Sequence, residues 1–232
     1  MRVIISGAGI GGLTAALCFL HHGVEVTVLE RAPELGEVGA GIQLPPNAMK
    51  VFQKLDNFLD YAWAQISRGK VDKKSPARHP TFVTSSADGF PNARTLVMRR
   101  SDRENNKIEF HTDTASSKML DLSQNPRAGI HIWLPKVQLQ IQMDVVVEIK
   151  VGDITIPYWK DIPTNSRTAY GTIPSPGKVL ESPLAYDQAP NQKRFAVLVC
   201  DIQSIQLLLL GVKHIRAHYK KTTNWQGEWL SP

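Results

Sequence analysis

The chain has 232 residues, 42% of them hydrophobic, and a formal net charge of +6. This length and apolar content exclude a wholly disordered chain and fit one domain or two small ones. The positive charge fits a phosphate-bearing ligand as well as a polyanion. However, Lys and Arg are interspersed with Asp and Glu, without the basic run typical of nucleic-acid binding, so no nucleic-acid partner is expected.

Two isolated cysteines, Cys18 and Cys200, stand in apolar surroundings without metal-ligand spacing. They are predicted to be buried thiols in a reducing compartment, with no metal site. The apolar run at residues 8–20 contains three turn-forming glycines and is followed by a strand pattern, unlike a signal peptide. Elsewhere the sequence has no membrane-span candidate, which requires about 18 apolar residues, so we expect a cytoplasmic protein without a membrane partner.

The first thirty residues carry the pattern of a βαβ unit. A short buried strand, a helix ended by Gly23 and a valine-rich strand are predicted in succession, at residues 2–6, 11–22 and 25–30.

A glycine motif, GAGIGG, joins the first strand to the helix. Gly7 and Gly9 permit a tight turn and close backbone approach to a pyrophosphate, and Gly12 lets the helix pack on the strand. Glu30 follows Gly12 by 18 residues, where a carboxylate accepts hydrogen bonds from a ribose. These four residues are the candidate dinucleotide ligands.

The next stretch, ERAPELGEVGAGIQLPPNAMKVF, extends this pattern. With the glycine motif it resembles the N-terminus of FAD-dependent aromatic hydroxylases of the salicylate hydroxylase type. The resemblance covers about the first 54 residues and implies a truncated Rossmann-like FAD/NAD-binding fragment at residues 1–54. Those enzymes also need a later Gly-Asp motif and a substrate-binding sheet, which this sequence lacks.

The pattern changes near Leu55. The segment LDNFLDYAWAQISRG places apolar residues on one helical face, and KVDKKSPARHP is a charged linker. We therefore predict a second domain at residues 55–232, with Trp63 in its core or an interface.

From residue 81 the sequence is mostly of strand type. Strand patterns with hairpin spacing, interrupted by one helix at SSKMLDLSQNP, favour an antiparallel sheet curled into a small barrel. The predicted fold class is α+β, with an antiparallel split β-barrel preceded by the short Rossmann-like βαβ fragment.

An ordered series of motifs then identifies a family. D-G-x-P, R-T-L-V-x-R, F-H-T-D, S-x-K and N-P occur in succession, and the likeness continues to the terminal EWLSP. From about residue 55 to the end, the sequence resembles the pyridoxamine 5′-phosphate oxidase-like flavoproteins. The resemblance implies an FMN-binding split barrel, a homodimer with FMN at its interface, and a small-molecule substrate.

The resemblance also assigns flavin-site residues. Arg94, Ser117 and Lys118 fall on the phosphate-holding positions, with Ser117 where the family commonly has a second arginine, and a phosphate dianion suits such donors. Arg99 falls near the reactive side of the flavin and is the catalytic candidate. The remaining candidate flavin contacts are Thr95, Leu96, Val97, His111, Thr112 and Ser116, and from the other subunit Gln138 and Arg216.

The candidate substrate residues depart from the named oxidase. Tyr158 and Ser166 match positions that hold the substrate phosphate, and His214 stands near a third. Ile162 occupies the place of an expected arginine, and a second arginine is absent. Arg167 and Lys213 are the alternative candidates for compensation, although replacing a bidentate guanidinium is not conservative.

Three hypotheses follow. The chain is an FMN-dependent oxidoreductase in which substrate passes a hydride to the flavin, an FAD-dependent monooxygenase remnant that uses its glycine motif, or a non-catalytic flavin-binding protein. Loss of the substrate arginines favours the third hypothesis over a vitamin-B6 enzyme.

Overall fold

The computed structural model describes residues 2–7, 10–29 and 54–232. These residues form two compact units, 2–29 and 54–232. The boundary lies outside the described residues, so the domain ranges 1–54 and 55–232 stay a prediction. No helix in the described parts of the chain is long and apolar enough to span a membrane.

The first unit consists of β1 (Arg2–Ser6), α1 (Ile10–His21) and β2 (Glu25–Leu29). β1 and β2 pair in parallel, as the βαβ pattern predicts, whereas a wider Rossmann-like character stays a prediction. Gly7 has a φ of +99°, and a Cβ atom on Gly12 would lie 1.9 Å from the Gly7 carbonyl oxygen. Both glycines are therefore needed for the strand-to-helix turn. Gly9 and Glu30 lie outside the described residues.

One cysteine prediction is wrong. Cys18 is exposed on α1, because this helix buries only Ala16 among the described side chains of its unit. Cys200 is fully buried, as predicted.

The second unit contains three helices and eleven strands in its described residues 54–232. The helices are α2 (Leu55–Val71), α3 (Ser117–Gln124) and α4 (Ile156–Asp161). The strands are β3 (Thr81–Ser85), β4 (Pro91–Thr95), β5 (Met98–Asp102), β6 (Lys107–Asp113), β7 (Arg127–Leu134), β8 (Leu139–Val151), β9 (Thr172–Ile173), β10 (Asp187–Gln188), β11 (Phe195–Leu209), β12 (Ile215–Lys220) and β13 (Gly227–Leu230).

Nine of these strands form one antiparallel sheet, in the order β13-β12-β11-β8-β7-β3-β4, with β6 also on β11 and β5 on β6. The long strand β11 pairs with β6, β8 and β12, and so organises the sheet. Within residues 54–232, pairing does not connect β4 to β5, so the sheet is not a closed barrel.

The predicted strand ARTLVMRR is two strands. β4 pairs with β3 and β5 pairs with β6, with a break at Leu96 and Val97. The two halves have different partners, which a local pattern does not reveal.

The core of this unit lies between α2 and the sheet. Phe58, Trp63 and Ile66 on the predicted apolar face of α2 are at most 2% exposed. Gly69 on the same helix has no room for a side chain, since a Cβ there would lie 2.6 Å from the Ala77 carbonyl carbon. Trp133 is 39% exposed. It therefore lies outside the core.

Candidate functional site

Arg94 lies on β4, where it contacts a buried polar pair. Its Nη1 donates to Thr84 Oγ1 at 2.5 Å, and its Nη2 lies 3.6 Å from Asp121 Oδ2. Thr84 in turn donates to Asp121 at 2.5 Å. A guanidinium carries five N–H donors, of which these contacts use two. The carboxylate of α3 thus orients Arg94 and leaves donors for an anion.

A turn between β6 and α3 carries the other predicted phosphate residues. Lys118 Nζ donates to Thr112 Oγ1 at 3.1 Å, and the Thr112 and Ser116 hydroxyl oxygens are 3.1 Å apart. Ser116 donates to the Asp113 carbonyl at 2.7 Å. The hydroxyls therefore form a chain of hydrogen bonds that holds Lys118. Because an ammonium has three donors, Lys118 can hold this chain and also bind an anion.

The two cations are close enough to affect each other. Burial lowers the pKa of the Lys118 ammonium, and the positive charge of Arg94 lowers it further. Burial also lowers the pKa of the Arg94 guanidinium, against the opposing effect of Asp121. Two partly desolvated cations beside each other are stabilised by a bound anion, so this cluster fits a phosphate.

The other predicted residues near this cluster are more peripheral. Ser117 is exposed on the first turn of α3, and Thr95 is exposed at the end of β4. Leu96 and Val97 are half-buried in the break between β4 and β5, where the Leu96 amide donates to the Pro80 carbonyl at 3.1 Å. Thr95, Leu96 and Val97 directly follow Arg94 in the chain, and Ser117 directly precedes Lys118.

Arg99 occupies a β-bulge. Met98 pairs with Phe110 and Arg100 with Glu109, so Arg99 is the extra residue on β5. A bulge redirects a side chain relative to the regular alternation of a strand. Arg99 accordingly has a buried Nε without a hydrogen-bond partner, while Arg100 is exposed. The family motif predicts Arg99 as a site residue, whereas the bulge depends on pairing with β6 and is not apparent from the sequence.

His111 and Tyr170 lie beside Arg99. Burial lowers the pKa of His111 to about 4, and the Arg99 charge contributes. The imidazole is therefore neutral near pH 7, and its buried Nδ1 has no partner. Burial raises the pKa of Tyr170, whereas the charge and hydrogen bonding of Arg99 lower it. The unpartnered nitrogens of Arg99 and His111 fit a ligand with polar atoms, such as a flavin ring.

An aromatic cluster surrounds His111. Its ring centroid is 4.9 Å from Phe195 and 6.2 Å from Tyr158, both edge to face. Phe195 also contacts Trp159 and Tyr170. These rings pack around the His111 side chain.

Gln138 and Arg216 lie at the far end of β11. The Leu210 amide donates to the Gln138 carbonyl at 2.9 Å, and Arg216 pairs with Leu208. His111 instead pairs with Val197, near the start of β11. Eleven residues of strand separate these points, about 35 Å. Within one chain, Gln138 and Arg216 thus lie toward the opposite end of β11 from the residue that pairs with His111.

Arg216 has one buried nitrogen without a hydrogen-bond partner. Its Nη2 donates to Gln206 Oε1 at 2.7 Å, while its buried Nε has no partner. Gln138 is exposed in a turn with a φ of +52°. The assignment of both residues to a second copy of the chain stays a prediction.

The candidate substrate residues are not gathered into one site. Tyr158 is half-buried beside His111, Ser166 lies in a 3-10 turn, and His214 is exposed and accepts from the Gly211 amide at 3.3 Å. Ile162, at the place of the expected arginine, is buried against Tyr170.

Arg167 does not compensate for that arginine. Its Nε donates to the Ile162 carbonyl at 3.0 Å and its Nη2 to the Lys160 carbonyl at 3.2 Å, and it stacks over Trp159. Its guanidinium fixes the local backbone. The expected compensation by Arg167 is therefore not supported.

A groove lined by Thr84, which contacts Arg94, carries none of the predicted site residues. This space of about 520 Å³ lies on β3, β7 and β8, lined among others by Val83, Gly129 and Asp144. No group of three or more His, Cys, Asp or Glu side chains in the described ranges is placed to hold a metal ion.

Residues 60–149 match the model of the family described as pyridoxamine 5′-phosphate oxidase, FMN-binding domain. This segment contains the Arg94 cluster, Arg99 and His111. The predicted resemblance to this family is confirmed there.

Solved structures share the fold. A pyridoxamine 5′-phosphate oxidase-related, FMN-binding protein from Nostoc punctiforme is 25% identical with a TM-score of 0.61, over 74% of this chain and 96% of that one. PhzG from Burkholderia lata, solved with tetrahydrophenazine-1-carboxylic acid, is 15% identical with a TM-score of 0.58, over 78% and 92%.

Curated relatives confirm the second resemblance over segments. A 3-hydroxybenzoate 6-hydroxylase from Polaromonas naphthalenivorans is 34% identical over 133 residues, 51% of this chain and 33% of that protein. Another, from Aquipseudomonas alcaligenes, is 58% identical over 54 residues, 23% and 14%. The chain thus spans a third or less of the length of these relatives.

Proposed function

We propose that residues 55–232 bind FMN and act as a flavin-dependent oxidoreductase. The carrying observation is the pair of partly desolvated cations, Arg94 and Lys118, which the Thr84, Asp121 and Thr112 side chains orient within the family-matched segment. This donor set suits a phosphate with two negative charges.

Each part of this site has a separate task. Arg94 and Lys118 bind the phosphate, with Ser117 at its edge. Arg99, redirected by the bulge, donates to the flavin ring or to the substrate, and neutral His111 supplies a further polar contact. A bound flavin supplies the hydride acceptor.

We further propose that the protein is a homodimer in which each flavin site uses both chains. Gln138 and Arg216 lie at the other end of β11 from His111, about 35 Å along the strand, which favours a site that a partner copy completes. The unpartnered Arg216 Nε supports a role at this interface.

The substrate is not proposed to be pyridoxine phosphate. Ile162 is buried in an aromatic cluster and Arg167 is bound to backbone carbonyls, so neither offers a phosphate-binding guanidinium. We propose a substrate without a phosphate group, or, for a non-catalytic protein, no substrate at all.

Released flavin tests the proposal. Protein purified from cells is denatured, the supernatant is chromatographed against FMN, FAD and riboflavin, and the mass of the native assembly is measured. FMN from a dimer supports the proposal. Absence of FMN, together with no binding when FMN is added to flavin-free protein, would overturn it.

A second function remains supported by one observation. Gly7 and Gly12 approach each other closely in the strand-to-helix turn, as the binding of a dinucleotide pyrophosphate requires. Segments of the chain also match proteins that are named as hydroxylases and monooxygenases. FAD in the released fraction, lost on Gly9→Glu, would favour this FAD-binding monooxygenase function over the FMN site.

A further inference from the structure

A buried ion pair lies beside the proposed phosphate turn. Asp113, at the end of β6, is 5% exposed, and Oδ1 accepts from Arg194 Nε at 3.0 Å and from Nη2 at 2.9 Å. Arg194 Nη2 is also 2.9 Å from Oδ2. Since these residues are 81 positions apart, the pair joins distant parts of the chain.

The same pair holds the backbone of three segments. Asp113 Oδ1 accepts from the Ala115 amide at 2.8 Å, and Oδ2 accepts from the Gly171 amide at 3.0 Å. Arg194 Nη1 donates to the Thr172 carbonyl at 2.7 Å, and its own carbonyl accepts from the Thr114 amide at 2.8 Å. The turn after β6, the segment before β9 and the start of β11 are therefore fixed to one another.

Each fixed segment carries a part of the proposed site. The turn after β6 leads into Ser116 and Lys118, and the Asp113 carbonyl accepts from the Ser116 hydroxyl at 2.7 Å. Gly171 follows Tyr170, whose hydroxyl lies beside Arg99. Gly171 also fits closely, because a Cβ there would lie 2.0 Å from the Ala189 carbonyl oxygen.

A buried ion pair is a poor source of net stability. Its desolvation cost offsets much of its Coulomb gain, so apolar replacements are often neutral. An apolar pair could replace the charges of Asp113 and Arg194, but it could not make their directed hydrogen bonds to the backbone. This property favours a role in geometry.

Resting on the proposed FMN site, we propose that Asp113 and Arg194 are positioning residues that hold the phosphate turn and the Tyr170–Arg99 side in one fixed arrangement. Neither residue is among the proposed flavin or substrate contacts. The pair thereby couples the two ends of the flavin site within one chain.

Neutral variants of each partner test this coupling. We compare Asp113→Asn, Arg194→Gln and the double variant with Asp72→Asn, which removes the partly exposed Arg68–Asp72 pair at the C-terminal end of α2. Dissociation constants for FMN and riboflavin are measured by flavin fluorescence. Amide hydrogen exchange is measured on flavin-free protein at residues 114–116 and 171.

The expected results differ from those of a general loss of stability. Both single variants weaken FMN binding by about tenfold or more and riboflavin binding by less. The double variant binds FMN no more weakly than the worse single variant, and Asp72→Asn leaves both dissociation constants unchanged. Arg194→Gln speeds exchange at Ala115 and Gly171 together. Folded variants with unchanged FMN affinity and unchanged exchange would overturn the proposal.

Two further outcomes are separated by design. If wild-type protein binds no flavin, the proposed function fails. The exchange data then decide by themselves whether the pair couples the two segments. If Asp113→Asn does not fold, Arg194→Lys keeps the charge but removes the bidentate contact, and the same measurements on it support or overturn the proposal.

Discussion

The two units of this chain differ in how sequence motif and burial are combined. Residues 2–29 carry the glycine motif, yet Ala16 is the one buried hydrophobic residue among those described there, and Ile4, Leu17 and Leu29 are more than half exposed. Residues 54–232 carry less familiar motifs but contain the cation cluster and a continuous core. A phosphate-binding turn therefore indicates a ligand site only when the rest of its domain forms a pocket around it.

The largest predicted effect is a loss of FMN binding when Arg94, in the second unit, is replaced. We expect Arg94→Ala to weaken FMN binding by roughly 10- to 100-fold, because a hydrogen bond to a charged group contributes about 1.5–3 kcal/mol. Fluorescence titration with FMN and riboflavin measures this change. The matched control is Arg100→Ala, an exposed neighbour on β5. Equal losses for both variants, or for both ligands, would contradict a phosphate role for Arg94.

The next effect concerns the buried imidazole of the second unit. Burial lowers the pKa of His111 to about 4 in the folded chain, against 6.5 for an unperturbed histidine, so below pH 6.5 the unfolded chain binds more protons. The free energy of unfolding should therefore fall by about 2 kcal/mol between pH 7.5 and pH 5. Urea unfolding at both pH values measures it.

The His111 prediction has a direct control. His111→Phe should remove this part of the pH dependence, while a Phe at the exposed His214 should leave it in place. An unchanged pH dependence in His111→Phe would show that another group causes it.

A smaller gain is expected at Ser117. Ser117→Arg adds a second guanidinium on the first turn of α3, near Arg94 and Lys118, and should improve the FMN dissociation constant about two- to fivefold, since an exposed cation contributes up to about 1 kcal/mol. Ser123→Arg, exposed near the other end of the same helix, is the control. Titration at low and high salt should show the gain only at low salt. A gain from both substitutions would indicate net charge rather than position.

The smallest effect on FMN binding is expected from the first unit. Gly12→Val clashes with the Gly7 carbonyl, where even a Cβ would be 1.9 Å away, yet it should leave the FMN dissociation constant unchanged. Gly69→Val is the counterpart in the second unit, where it meets the backbone of Ala77, and should abolish binding by unfolding that unit. FMN binding that depends on Gly12 would remove the proposed separation of function.

Local sequence patterns predicted the helices and strands better than they predicted which strands pair with each other. The strands of the first unit, the apolar face of α2 and the helix after Ser116 follow from periodicity, because the period reports which face is buried. The division of ARTLVMRR into β4 and β5 does not follow, since it depends on pairing with β3 and β6.

The same limit applies to the site. Arg94 and Lys118 were found through the order of motifs, whereas the Arg99 bulge and the Asp113–Arg194 pair depend on contacts across the sheet. Cys18 was predicted to be buried because its neighbours are apolar, but its helix buries little of that surface. Arg167 was expected to compensate for a lost arginine, and its bonds to the Ile162 and Lys160 carbonyls were not readable from sequence.

The length of β11 has a genetic consequence in the proposed dimer. Because each site takes Arg94 from one chain and Arg216 from the other, two inactive variants can complement each other. In a mixed dimer of Arg94→Ala and Arg216→Ala chains, one site carries both defects and the other carries neither. Random reassortment of equal amounts would therefore restore about a quarter of the sites. Because β11 separates Arg216 from the His111 end of the proposed site within one chain, two defective alleles expressed together would partly restore activity.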